Sequence, residues 1–170
     1  MKVKNLLIAL ALIFFIPFFA NAQTPEEKLK AMGLEIPEVS LPIANYVKWK
    51  QVGNLLYLSG GGPKVYGKVG ADLSVEEGYQ ASRETGLEVI AVLKAATGDL
   101  SRIKQFVKVL GMVNSAPDFT AHPKVINGFS DLMVEVFGEK GKHARSAVGV
   151  AALPNNMAVE IEVIVELEDK

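Results

Sequence analysis

The sequence predicts an α+β fold in which two helices lie on one face of a mixed sheet. Segments with the alternating apolar and polar pattern of strands interchange along the chain with two segments of helical periodicity. No internal repeat or low-complexity linker divides them, and the most regular strand pattern lies near the C-terminus. The predicted order of elements in the main domain is therefore ββαβαββ.

A short helix is predicted before the first strand. Thr24 and Glu27 have the spacing of a capping box, and Pro25 stands at the first helical position. Gly33 can end this helix, which we expect to be peripheral. Residues 36–42 contain two prolines and are predicted to be extended.

The first two strands are predicted to form a hairpin. Residues 46–52 and 55–59 are rich in strand-forming side chains, and Gly53 and Asn54 between them are typical of a tight turn.

The first long helix is predicted to begin at the capping box of Ser74 and Glu77 and to continue to about Ala96. Its apolar stripe has the spacing of a helix that packs on a sheet, and it contains Val75, Tyr79, Ser82, Gly86, Val89, Ile90 and Leu93. Residues 103–113 are rich in apolar and β-branched side chains and are predicted to be a central strand.

The C-terminal half is predicted to hold a second helix and two more strands. The helix follows Asp118 and ends at Gly138. From residue 157 to residue 168, apolar residues alternate with a row that is mostly glutamate, which is the pattern of a strand with one buried face. Residues 153–156 are typical of a turn, so we expect residues 145–152 to form a hairpin with this strand.

The N-terminus has the features of a secretory signal peptide. Lys2 and Lys4 precede an apolar run at residues 6–19, and the small residues of the Ala-Asn-Ala sequence at residues 20–22 match a cleavage site before Gln23. The apolar run is shorter than the roughly 20 residues that span a bilayer as a helix. We therefore predict a periplasmic or secreted protein with no membrane association after cleavage.

Composition restricts the function of the mature chain. Removing 22 of the 170 residues leaves 148, which we divide into an N-terminal extension at residues 23–42 and one domain at residues 43–170. Without Lys2 and Lys4 there are 16 basic and 19 acidic residues, a formal charge of −3 that argues against nucleic-acid binding. The absence of cysteine excludes disulfides, thiolate nucleophiles and cysteine-based metal sites.

Several possible motifs do not have the residues that their chemistry needs. Residues 138–143 superficially resemble a phosphate-binding loop, but His143 stands where a Ser or Thr would bind magnesium. The Gly60–Gly62 run does not have the spacing of a dinucleotide-binding fingerprint. His122 and His143 are not spaced as metal ligands, and we expect both to be solvated.

Arg145 and Glu160 are the strongest polar candidates for a site. Small or apolar residues flank Arg145, an arrangement suited to gripping a carboxylate with two parallel hydrogen bonds. The alternative for Arg145 is an ion pair with the glutamate row of the last strand. Glu160 could orient water or accept a proton, and its alternative is a solvated position in that same row.

Residues 143–167, HARSAVGVAALPNNMAVEIEVIVEL, resemble the closing signature of the RidA/YjgF family, which is also called L-PSP endoribonuclease-like. In this signature an Arg-Ser strand, a Leu-Pro turn and a Glu-Ile-Glu strand follow one another. Tyr46, the Ser-Gly that ends at Gly60, and Asn127 also resemble family positions, so the resemblance covers about 120 residues. This chain differs in having Lys142-His143 in place of a Phe-Pro pair, and Ala147 where Cys is frequent.

The resemblance implies a chorismate-mutase-like fold and a homotrimer whose ligand clefts lie between subunits. It also implies hydrolysis of reactive enamines and imines to 2-keto acids and ammonia without a cofactor or metal. By position, Arg145 would bind the substrate carboxylate and Glu160 would position the attacking water, while Tyr46, Gly60 and Asn127 would shape the cleft.

Two functions remain in view at this point. The first is an imine or enamine deaminase, and the second is a trimer that binds a small carboxylate or imino acid without catalysis. A chorismate mutase would need more than one well-placed cation, and a ribonuclease fits poorly with the net charge of −3. The resemblance implies imines formed by cytoplasmic enzymes as the usual substrates, so export favours a different imine or a bound carboxylate.

Overall fold

A computed structural model describes residues 23–39, 42 and 44–169. The predicted signal peptide lies outside these residues. Within the described part of the chain, no helix is both long enough and apolar enough to cross a membrane.

The described chain contains three α-helices and five strands in the predicted order, which confirms the α+β class. The elements are α1 (Pro25–Ala31), β1 (Trp49–Val52), β2 (Leu55–Gly61), α2 (Val75–Thr97), β3 (Ile103–Asn114), α3 (His122–Phe137), β4 (Ala144–Val150) and β5 (Val159–Leu167).

The five strands form one mixed sheet in the order β1-β2-β5-β3-β4. Strands β3 and β4 are parallel and are joined by α3, whereas the other neighbours are antiparallel. The hairpin predicted between the last two strands is therefore wrong. The segment around Asn155 and Asn156 does turn, with φ angles of 53° and 59°, but it carries the chain past β3 so that β5 enters between β2 and β3. This central place gives both edges of β5 a hydrogen-bonding partner.

The core lies between one face of the sheet and the two long helices. Alternate residues of β5 are buried on this face, including Val159, Ile161 and Val163. The helices α2 and α3 pack closely over them, because a Cβ atom at Gly128 would overlap the backbone carbonyl of Tyr79. The predicted placement of two helices on one face is thus confirmed.

Helix α1 is less peripheral than predicted. Its capping box is formed as expected, and Leu29 is only 1% exposed within the core. Glu26 accepts hydrogen bonds from the Lys94 ammonium at 2.7 Å and from the Leu100 amide at 3.0 Å. These contacts attach the N-terminal extension to the end of α2.

The predicted starts of the first strand and of the second long helix shift in the structure. Strand β1 begins at Trp49, and the side chain of Tyr46 before it is 46% exposed. Helix α3 begins at His122 rather than after Asp118, and its N-cap residue, Ala121, makes no side-chain capping bond. The loop before it is held instead by Phe119, which packs against the backbone of the 62–73 loop.

Candidate functional site

Arg145 lies on the helical face of the edge strand β4. It is paired in register with Val109, which is fully buried beneath the helices. Its Nη1 donates hydrogen bonds to Asn127 Oδ1 and Ser130 Oγ on α3, both at 2.9 Å. No carboxylate among the described residues pairs with Arg145, so the alternative of an ion pair with the glutamate row is wrong.

The remaining donors of Arg145 are available to a ligand. A guanidinium group has five N–H donors, and the described residues engage only those on Nη1. The hydrogen bonds to Asn127 and Ser130 fix the plane of the guanidinium, and the donors on Nε and Nη2 form its other edge, which no described residue engages. Such an edge can accept a carboxylate through two parallel hydrogen bonds.

His143 completes a hydrogen-bonded chain behind Arg145. Its Nδ1 lies 2.8 Å from the carbonyl oxygen of Gly141, and its Nε2 lies 3.0 Å from Ser130 Oγ. With the proton on Nδ1, the Ser130 hydroxyl donates to Nε2 while its oxygen accepts from Arg145. Burial lowers the pKa of His143, the hydrogen bond to Gly141 opposes this shift, and the charge of Arg145 adds to it. The net lowering favours the neutral ring.

The two histidines are therefore not the solvated residues that the sequence predicted. Both side chains are partly buried, and both bond to serine hydroxyls, since His122 Nε2 lies 3.1 Å from Ser115 Oγ. The prediction of solvation was wrong because the sequence pattern does not show that Ser115 and Ser130 fold back against these two rings.

Glu160 projects from the central strand β5 against Gly60. A Cβ atom at Gly60 would overlap Glu160 Oε1, so only glycine leaves space for this carboxylate. Burial, followed by repulsion from Glu162, raises the pKa of Glu160. The rest of the glutamate row differs, because Glu162 is exposed and Glu166 pairs with Lys104 at 2.8 Å. Glu160 is thus a half-buried acid and not an ordinary member of a solvated row.

Within one chain, the structure does not bring Arg145 and Glu160 together. Glu160 is in register with Met112 on the face of the sheet that the helices do not cover, which we call the open face. Val109 and Arg145 are on the helical face. Arg145 and Asn127 form one cluster, and Glu160 and Gly60 form another. No hydrogen bond in the described part of the chain links the side chain of Tyr46 to either cluster.

Ser130 is a member of the Arg145 cluster that the sequence analysis missed. The available signal was its position three residues after Asn127, which places both side chains on the same face of a helix. Among the described residues, no group of three or more His, Asp or Glu side chains is arranged to hold a metal ion.

The fold and these two clusters define a YjgF/chorismate-mutase-like protein. Residues 26–167 match the family model described as "YjgF/chorismate mutase-like, putative endoribonuclease", so the chain belongs to the RidA/YjgF family.

Similar proteins include one of unknown function and a deaminase. The chain is 45% identical over 148 residues to Protein TCP17 of Trypanosoma cruzi, covering 83% of this chain and 92% of that protein. A crystal structure of an Agrobacterium tumefaciens protein of unknown function is 43% identical with a TM-score of 0.80, covering 85% and 92% of the two chains. A 2-iminobutanoate/2-iminopropanoate deaminase of Dermatophagoides farinae is 33% identical over 139 residues, covering 79% and 95%.

Proposed function

We propose that this protein is a RidA-type deaminase that hydrolyses 2-imino acids to 2-keto acids and ammonia. The proposal rests on two polar clusters. In one, the guanidinium of Arg145 keeps N–H donors that no described residue engages, and in the other the half-buried carboxylate of Glu160 lies beside Gly60. The similarity to a deaminase of the same family supports this activity.

The two clusters would form one site at the junction of two subunits in a homotrimer. They lie on opposite faces of the sheet, so a neighbouring chain must supply one of them. The open face carries apolar side chains that favour such an assembly. Tyr57 is 41% exposed there and is paired in register with Ile164.

In the proposed reaction, Arg145 holds the substrate carboxylate and Glu160 transfers protons. Ionised Glu160 takes a proton from water as the water oxygen bonds to the imine carbon, and it returns that proton to the nitrogen. Glu160 then takes the hydroxyl proton of the resulting carbinolamine and passes it to the NH2 group. The C–N bond breaks as the C=O bond of the keto acid forms, ammonia leaves, and Glu160 is ionised again. Burial favours this role, because a carboxyl with a raised pKa is a stronger base when ionised.

The activity can be tested with imines generated in situ by an amino-acid oxidase. The mature protein should accelerate keto-acid and ammonia release, and Glu160→Gln should lower kcat/KM by about 100-fold, the lower end of what a positioned acid–base group contributes. Arg145→Met should chiefly raise KM, whereas Arg102→Met removes an arginine outside the cluster and should change neither parameter. A wild-type rate equal to the uncatalysed rate would refute the proposal.

The second candidate is a trimer that binds a small carboxylate without turnover. Lys142 and His143 line the surface pocket beside Arg145, so the wall of this cleft includes an additional cation. Isothermal titration with 2-keto acids distinguishes the candidates. Saturable binding that Arg145→Met abolishes, together with no turnover of imines, would favour the binder.

We also propose export with cleavage after Ala22, on the basis of the signal-peptide pattern of residues 1–22. Expression of the full chain in a bacterial host should give a periplasmic or secreted protein whose N-terminal sequence begins at Gln23. Recovery of the full-length chain in the cytoplasmic fraction would contradict this prediction.

A further inference from the structure

A second polar pocket lies where β3 and β4 end, at a distance from the Arg145 cluster. The end of β3, the start of α3, the end of β4 and the loop containing Lys68 surround it. Its polar lining includes Lys68, Ser115 and His122, and the side chains of Pro117 and Phe119 form an apolar wall. None of the residues that line the pocket is acidic.

Lys68 places an unneutralised positive charge at this pocket. Its ammonium donates to Asn114 Oδ1 and to the carbonyl oxygen of Ala151, each at 2.8 Å. Both acceptors are uncharged, and Asn114 is itself fully buried and donates to Asn156 at 2.8 Å. An ammonium group has three N–H donors, so one remains for a ligand. Among the described residues, no carboxylate lies within 4 Å of Lys68 Nζ.

Ser115 and His122 supply further donors beside this charge. Ser115 is 8% exposed, and its hydroxyl lies 3.1 Å from His122 Nε2. When Nε2 carries a proton and donates to Ser115, the serine hydroxyl can donate into the pocket. The backbone of Gly149 lies against the pair, since a Cβ atom there would overlap His122 Nε2 and lie 2.7 Å from Ser115 Oγ. Glycine at position 149 therefore leaves space for the His122–Ser115 pair.

We propose that this pocket binds the carboxylate of a small organic acid with an apolar body. Lys68 and Ser115 hold the carboxylate, and Phe119 and Pro117 contact the apolar body. The site is separate from that of Arg145, because Arg145 and Gly149 are four residues apart along β4, or about 13 Å at the rise of a strand. The proposal does not depend on the deaminase activity.

The two histidines make a site-resolved experiment possible, because the chain contains only His122 and His143. Their ring C–H proton signals in the NMR spectrum of tag-free protein report on the Lys68 pocket and the Arg145 cluster separately, with assignment by His122→Gln. Titration with sodium benzoate should shift the His122 signal saturably. Lys68→Met should weaken the binding that His122 reports by about tenfold or more, the effect of losing one charged hydrogen bond.

Three matched variants make the result decisive. Lys64→Met removes an exposed lysine from outside the pocket and should leave the His122 titration unchanged, as should Arg145→Met. Gly149→Ala should abolish the saturable shift by displacing His122 and Ser115, and it tests the pocket even where Lys68→Met does not fold. The proposal is overturned if benzoate leaves His122 unshifted up to its solubility limit. It is equally overturned if Lys64→Met or Arg145→Met weakens the binding as much as Lys68→Met does.

Discussion

A substitution at Gly60 can separate an effect on activity from an effect on stability. Its Cβ position is occupied by the flexible end of Glu160, whereas a Cβ atom at the adjacent Gly61 would have no neighbour within 4 Å. Glu160 can move aside at little cost, but it then leaves the position that the proposed mechanism requires.

We therefore predict that Gly60→Ala changes the free energy of unfolding by less than about 1.5 kcal/mol while lowering kcat/KM by about tenfold or more. Gly61→Ala should retain activity. Thermal unfolding and imine hydrolysis on the same preparations test this prediction. Equal loss of activity in both variants would mean that the strand, and not the Glu160 carboxylate, is sensitive to the added methyl group.

His143 makes stability depend on pH. Burial, and then the charge of Arg145, lowers its pKa in the folded protein below the ordinary value of 6.5. Between that folded pKa and 6.5, the unfolded chain binds more protons at this residue than the folded one does. The stabilisation that the neutral ring provides is therefore complete above pH 6.5 and is lost as the pH falls toward the folded pKa.

Unfolding midpoints of wild type and His143→Gln, measured across this range at one protein concentration, should converge as the pH falls. Arg145→Met should raise the titration midpoint of the His143 ring in NMR spectra, because it removes a neighbouring positive charge. A midpoint for His143 at or above 6.5 in the wild type would contradict the buried hydrogen-bonded chain.

At the scale of elements, the close contact between α2 and α3 limits the size of the residue that fits at position 128 of α3. Alanine is a better helix former than glycine by about 1 kcal/mol, so Gly128→Ala should stabilise an isolated helix. In the protein, the added Cβ atom would overlap the carbonyl oxygen of Tyr79 and lie 3.2 Å from the Arg83 amide nitrogen. Backbone atoms cannot swing aside as a side chain can, so the helices must separate.

Gly128→Ala should consequently destabilise the protein by about 3 kcal/mol, near the upper end of ordinary overpacking effects. Lys124→Ala, at an exposed position of the same helix, should be nearly neutral. Denaturant unfolding of the two variants measures the difference. A stabilising effect of Gly128→Ala would show that helix propensity outweighs the close approach of the two backbones.

At the scale of the whole molecule, the opposite placement of Arg145 and Glu160 leads to a test of assembly. If one subunit supplies Arg145 and its neighbour supplies Glu160, then Arg145→Met and Glu160→Gln chains complement each other in mixed trimers. The assay uses a substrate concentration well below KM, at which both parent variants have little activity. Random mixing of equal amounts should restore about a quarter of all sites, because each subunit at a site must be of the required type. Every mixed trimer then has one complete site of its three, so protein that contains both chains should have about a third of the wild-type sites.

Co-expression with two different affinity tags, followed by activity measurement on doubly purified protein, tests this expectation. Mixing Arg145→Met with the double variant Arg145→Met/Glu160→Gln should restore nothing. Mixed trimers that are as inactive as their parents would show that each chain builds its site alone.

Much of the fold could be predicted from local patterns. The alternation along β5 correctly assigned its buried face, and the capping boxes at Thr24 and Ser74 form as expected. The family resemblance assigned Arg145 and Asn127, among others, to one ligand cleft, and the structure joins these two side chains by a hydrogen bond. The strand pattern and the capping boxes depend on residues close in sequence, and the Arg145–Asn127 assignment depends on a family motif that contains both residues.

The remaining features depend on contacts between distant segments. A turn at residues 153–156 indicates that the chain changes direction, but not that β5 passes β3 to pair with β2. The roles of Ser130 and His143 likewise appear only when α3 packs beside β4.

The sequence by itself determined the class of fold and the order of its elements, and it selected Arg145 and Glu160 as the polar candidates for a site. Only the tertiary structure decided that β5 is central and that Arg145 and Glu160 face away from each other across the sheet. The physical reason is that helical and strand periodicity, capping and turns are set by neighbouring residues. Strand order is set by the competition among all available edges for hydrogen bonds and buried surface.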